Sequence, residues 1–214
     1  KKYQNLLKKQ SKSQEFILRR LKKYNKPLVI IYGNSDILKK GAKKYNFEGI
    51  ESQCKSIKVK LFKQNIKKFK DFALAGFSGY RAAIAKGFVS MNKKEKKKVK
   101  VFNKKWKKRL EKLANQLKKY ENVIFISHDV PYGYFDLIKN KESPINGKRI
   151  GDKYFTNYIK KYQPDIFICA HMHEYQGLKK LGKTLIITTG AGQAGKAAII
   201  NYIPGKRVNI KFIK

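Results

Sequence analysis

Residues 165–173 read Asp165-Ile166-Phe167-Ile168-Cys169-Ala170-His171-Met172-His173, a short apolar run that ends directly in two histidines. Residues 122–129 repeat the pattern, with Val123-Ile124-Phe125-Ile126 running into Ser127-His128-Asp129. Apolar runs of this length, bounded by polar or turn residues, mark strands buried on both faces, as in a parallel sheet. Together the two stretches hold all 3 histidines of the chain. In open α/β sheets, ligands bind beyond the C-terminal ends of strands, where side chains far apart in sequence converge. An α/β fold with a metal site at the rim of its sheet is therefore expected, because neutral imidazole is a common metal ligand.

Working outward, Leu28-Val29-Ile30-Ile31-Tyr32 between Pro27 and Gly33 predicts a third buried strand, with Asn34 and Asp36 just past its end. Ser11 to Tyr24 opens on a Ser-x-x-Gln pattern and predicts a helix packing Phe16, Ile17, Leu21 and Tyr24 against the sheet. The alternating residues 56–62 and the run 71–75 predict two neighbouring strands, the second stopping at a turn, Gly76-Phe77-Ser78-Gly79. From Asn92 to Tyr120, Phe102, Trp106, Leu110, Leu113, Leu117 and Tyr120 recur at helical spacing among lysines, an amphipathic helix with one buried stripe. A long loop, Asp129 to Gly151, precedes a helix carrying Phe155, Tyr158, Ile159 and Tyr162 on one face. Residues 184–188, 197–202 and 208–213 predict three closing strands in antiparallel pairing.

Length and composition set further bounds. At 214 residues the chain is expected to form a single domain over 1–214, large enough to bury a core without disulfides. Its 2 cysteines, Cys54 and Cys169, are too few for a disulfide framework, which suits a reducing cytoplasm. No apolar run approaches the ~20 residues that span a bilayer, so no membrane association is expected. Lys and Arg number 52 against 14 Asp and Glu, a formal charge of +38 that favours phosphate-bearing partners, nucleic acid among them. Against that reading, few of the basic residues are Arg, and the abundance of Lys, Asn, Ile, Tyr and Phe fits an AT-rich coding sequence.

Oxygen from Asn34 and nitrogen from His128, His171 and His173 form a donor set suited to zinc, manganese or iron. Four segments holding these residues, in order, resemble motifs of the calcineurin-like metallophosphoesterases. They are Gly33-Asn34-Ser35-Asp36, Ser127-His128, Ala170-His171-Met172-His173 and Thr189-Gly190-Ala191-Gly192, similar to the family's Gly-Asn-His-Asp, Ser-His, Gly-His-x-His and closing Pro-Gly-Ser elements. With the long helix and the Pro131-Tyr132-Gly133 loop, the arrangement most resembles the archaeal branch related to bacterial cyclic-nucleotide phosphodiesterases.

The resemblance implies a four-layer α-β-β-α sandwich holding two divalent transition metal ions (Mn, Zn or Fe). Asn34, His128 and His171 would hold one ion and His173 the other. From its place two residues after Asn34, Asp36 is expected to form an Asx-type turn or to partner a ligand without binding the ion itself. The resemblance further implies hydrolysis of phosphomonoesters or phosphodiesters through a metal-bridging hydroxide. Two departures stand out. The family's Asp-x-His and Gly-Asp motifs have no match before residue 28, so the N-terminal part of the fold is expected to lie upstream of Lys1. Ser35 stands where the family places a histidine that assists the leaving group, which implies a preference for good leaving groups. Two alternatives are a non-catalytic scaffold on the same fold and a nuclease that uses the lysine surface.

Overall fold

The computed structural model describes residues 2–81 and 91–214. Its elements in chain order are α1 (Lys2–Lys22), β1 (Val29–Ile30), α2 (Lys39–Lys43), α3 (Ile50–Ser56), β2 (Lys60–Leu61), β3 (Gln64–Lys68), β4 (Ala73–Phe77) and α4 (Lys93–Leu117). There follow β5 (Val123–Ser127), α5 (Lys153–Tyr162), β6 (Ile166–Cys169), β7 (Gly177–Leu181), β8 (Thr184–Thr188), β9 (Ala197–Asn201) and β10 (Asn209–Ile213).

The centre is a six-stranded sheet in the order β3-β4-β5-β6-β8-β7. Strands β4, β5, β6 and β8 run parallel, as their apolar runs require, while β3 and β7 pair antiparallel at the two edges. Two short ladders stand beside it, parallel β1-β2 and the antiparallel hairpin β9-β10. The hairpin is tied to the start of β7 by the Gln176 amide, which donates to the carbonyls of Ala197 and Ile213. The fold is thus the expected α/β type, a central sheet flanked by helices, with further β structure in the two separate ladders.

Helix α4 forms where the spacing predicted it. Asn92 caps it, its side chain accepting from the Glu95 N–H while Glu95 reaches back to the Asn92 N–H. Trp106, Leu110, Leu113 and Leu117 face Phe77, Phe125 and Phe155 in the main core, whereas Phe102 lies farther out, 39% exposed. Helix α5 buries Phe155, Tyr158 and Ile159 in the same core and is capped by Asp152.

Several expectations are corrected. Helix α1 begins at Lys2, so Ser11 is not its cap: it is an interior residue whose hydroxyl donates to the Glu48 carbonyl and accepts from Gln53. The helix buries Leu18 against Ile50, Cys54, Ile57 and Val59, and its predicted face is exposed: Phe16 61%, Ile17 52%, Leu21 42%, Tyr24 74%. Residues 56–62 are not one strand, because α3 runs to Ser56 and Ile57 caps it, leaving only β2. That strand pairs with β1, and the neighbour of β4 is instead the polar β3. The three closing strands also divide: β8 lies between β6 and β7 in the central sheet, and only β9 and β10 pair with each other.

Candidate metal centre

Strand β5 delivers His128 and β6 delivers His171 at the same end of the sheet, since the two strands are parallel neighbours in register. The Ala170 N–H donates to the His128 carbonyl at 3.1 Å, which fastens the two strand exits together. Asn34 arrives from the separate β1 segment. The chain there is anchored to the central sheet by the Tyr32 N–H donating to Ser78 Oγ at 3.0 Å and the Gly79 N–H donating to the Tyr32 carbonyl at 2.8 Å.

The three side chains meet. His128 Nε2 lies 2.7 Å from Asn34 Oδ1 and 2.9 Å from His171 Nδ1. Neighbouring ligands of an ion held at ~2.1 Å lie about 3 Å apart, so these separations suit donors gathered around one cation. A carboxylate oxygen of Asp129 also falls in the group: one donor atom each from His128, Asp129 and His171 lie within 4.8 Å of one another.

The imidazoles are held in the form a metal needs. Burial pushes the His128 pKa down to about 3, with His171 and His173 adding like-charge repulsion. Burial also lowers His171, helped by His173 and opposed by Glu174. Both rings are therefore neutral at pH 7, with nitrogen lone pairs to donate. His173 itself is exposed and lies outside the converged group, near enough to act on both rings electrostatically.

The backbone at His171 is unusual. Its φ is +66°, and the Met172 N–H donates to the Ala170 carbonyl at 2.7 Å across it, a tight three-residue turn that a non-glycine residue rarely adopts. Strain of this kind is held in place by its surroundings and gathers at functional sites. Here Met172, 4% exposed, locks the turn into the core.

Asp36 does not point at the cluster. One carboxylate oxygen accepts from the Gly33 N–H at 2.7 Å and the other from the Gln14 side chain on α1, so it braces the Asn34 loop. Ser35 sits exposed in that loop, its carbonyl accepting from Gln10. The segment 189–192 forms a turn, with Gly190 at φ +85° followed by a 3-10 turn, Gly192–Ala194. The turn at Ser78-Gly79 is structural too: Ser78 Oγ donates to the Phe62 carbonyl.

Adjacency in the sequence makes Asp129 a candidate for orienting an imidazole, but the network behind it, Arg81 with Asp152, Asn103 and Trp106, left no trace there. Asp129, 5% exposed, accepts from the Arg81 N–H. The Arg81 guanidinium in turn donates to Asp152 at 3.2 Å and to Asn103 at 2.8 Å. Asp152, fully buried, also accepts from Trp106 Nε1 at 2.8 Å and caps α5 through the Tyr154 N–H. A cap was visible in the sequence as Asp152 just before the apolar periodicity of α5, but not its convergence with Arg81 and Trp106.

Comparison with known proteins gives a family and a fold. Residues 3–212 match the family model described as metallophosphoesterase, calcineurin superfamily. One crystal structure aligns with a TM-score of 0.61 at 14% identity, over 98% of this chain and 74% of that one. The crystal structure of TT1561 of Thermus thermophilus aligns with a TM-score of 0.55 at 15% identity, over 94% of this chain and 79% of that one. At these identities the likeness is one of fold. No curated protein matches the sequence. Because the family model spans nearly the whole chain, this protein belongs to the calcineurin superfamily of metallophosphoesterases.

Proposed function

We propose that this chain is a metal-dependent phosphoesterase that hydrolyses a phosphomonoester or phosphodiester. The observation that carries the reading is that Asn34 Oδ1 and His171 Nδ1 both lie against His128 Nε2, at 2.7 and 2.9 Å, at the rim of the sheet. A divalent cation bound there supplies Lewis-acid stabilisation of the phosphoryl oxygens and lowers the pKa of water. Asn34, His128 and His171 would hold that ion, and the exposed His173 would serve a neighbouring second one. The charge of +38 raises the local concentration of a phosphate ester before it reaches the centre. With Ser35 in the Asn34 loop, no imidazole follows Asn34 to protonate the leaving oxygen, which favours esters with acidic leaving groups.

The test is hydrolysis of p-nitrophenyl phosphate and bis-p-nitrophenyl phosphate with Mn²⁺, Zn²⁺ or Fe²⁺, on the wild type and on His128→Ala. Metal-dependent turnover abolished by the substitution supports the reading, and turnover indifferent to both metal and substitution overturns it.

A second reading is a metal-loaded, non-catalytic scaffold. It is favoured by one observation: among the described residues, a single group of three His, Cys, Asp or Glu side chains comes together. Tight binding of one ion with no turnover on either ester would select it.

A further inference from the structure

A second surface begins at the same end of the sheet as the metal centre and runs away from it. Helix α4 follows β4 and α5 follows β5, and each leads back to a strand parallel to the one it left. Both helices therefore begin at the rim where His128 and His171 sit, and run away from it. They pack side by side, and along their seam lie two adjoining cavities of about 550 and 230 Å³ that share Lys107 and Tyr154 as lining.

The two walls of this groove differ in chemistry. On the α4 side stand Lys96, Lys100, Lys104 and Lys107, all exposed. Steps of four residues separate the first three by about 6 Å along the helix, a spacing of the order of one sugar–phosphate repeat. Helix α4 carries 11 Lys and 1 Arg against 2 Glu: Glu95 closes the capping box, and Glu111, which lines the second cavity, pairs with Lys107 at 3.6 Å in solvent, so neither acid neutralises Lys96, Lys100 or Lys104. On the α5 side stand two half-buried tyrosines, Tyr154 where the two cavities adjoin and Tyr162 at the end away from Lys96. Tyr154 is held in place by the Arg81 guanidinium 4.7 Å from its ring centre, and Tyr162 lies 5.3 Å from the charge of Lys161.

We propose that the α4–α5 groove binds single-stranded nucleic acid, its lysines on successive phosphates and its tyrosines against unpaired bases. A row of cations beside aromatic faces is what a single strand needs, since every base offers a π-face once it is unpaired. A duplex keeps its bases stacked inside and would use only the lysines. This inference does not depend on hydrolysis at the metal centre, because binding and turnover are measured separately.

The test is fluorescence anisotropy with labelled oligo-dT, the matching duplex and inorganic polyphosphate, at ~150 mM salt and across a salt series. Lys100→Glu with Lys104→Glu is expected to weaken oligo-dT binding at least tenfold. Because each phosphate contact on a single strand contributes about 0.7 to the salt slope, the double variant should lower that slope by about 1.4. The control of equal charge is Lys206→Glu with Lys211→Glu, two exposed positions away from the groove, expected to change affinity less than threefold. Tyr162→Leu is expected to weaken oligo-dT binding about fivefold and leave polyphosphate binding unchanged. Circular dichroism checks folding, and Lys100→Gln with Lys104→Gln replaces the Glu pair if that pair unfolds. Equal losses from the two charge-reversed pairs, duplex binding as tight as single-strand binding, or polyphosphate binding as tight as oligo-dT would each overturn the proposal.

Discussion

The His128 ring occupies the space that a side chain at Gly33 would need: a Cβ built on Gly33 would lie 2.3 Å from His128 Cε1 and Nδ1. No rotation of a methyl group relieves such an overlap, so one of the two segments must move. Gly33→Ala is expected to weaken Mn²⁺ binding at least tenfold by isothermal titration, with the circular dichroism spectrum retained. Unchanged affinity would show that the ring has room to shift without losing its contacts.

Asp36 acts on Asn34 only through the backbone, by accepting from the Gly33 N–H and from Gln14. Asp36→Ala is expected to weaken Mn²⁺ binding three- to tenfold. Asp36→Asn, which keeps one acceptor oxygen, is expected to fall between it and the wild type. A loss as complete as that of His128→Ala would mean that Asp36 is itself a ligand.

At His171 the left-handed φ of +66° penalises any side chain by roughly 1 kcal/mol relative to glycine. In metal-free protein, where ligation cannot compensate, His171→Gly is therefore expected to match or exceed His171→Ala in stability by about 1 kcal/mol. Urea unfolding of the two variants decides it. The reverse order would mean that the turn relaxes once the imidazole is gone.

Asp152 holds three donors from separate elements: Trp106 Nε1, Arg81 Nε and the Tyr154 N–H. Asp152→Ala leaves the buried Arg81 charge without its carboxylate and removes the α5 cap, at an expected cost of about 3–5 kcal/mol. Trp106 is the only tryptophan, so its emission reports both the unfolding transition and the lost indole hydrogen bond. A cost below about 1 kcal/mol would show the network to be dispensable.

Burial raises the Cys54 thiol to about 11 and pushes Cys169 up further in direction, each with a smaller contribution from nearby carboxylates. A raised thiol pKa keeps the neutral form at every pH below it, so at pH 8 only ~0.1% of Cys54 is thiolate. Ellman's reagent is expected to find no fast-reacting thiol in the native protein between pH 7 and 9, and two in denaturant. Rapid native labelling at pH 8 would contradict the burial of one of them.

Much of this protein was determined by the sequence alone. The parallel core strands β5 and β6, the helix α4 and the placing of His128 and His171 at strand ends all follow from apolar runs and helical spacing, because burial on both faces or along one stripe leaves a direct trace in residue type. The edge strands left no such trace. Gln64–Lys68 and Gly177–Leu181 are largely polar and expose much of their length, so their pairing came only from the ladder of the neighbouring strand. Helix α1 misled for the opposite reason: its apolar residues at helical spacing are real, but the face that is buried runs through Ser11 and Leu18. At the centre, sequence named the ligand types and set Asp36 beside them as a supporting residue, and the tertiary structure decided that Asn34 meets His128 across 94 positions and that Arg81 and Asp152 stand behind the site. Those contacts join elements distant in the chain, and local residue patterns carry information only about the faces of single elements, not about which faces come to meet.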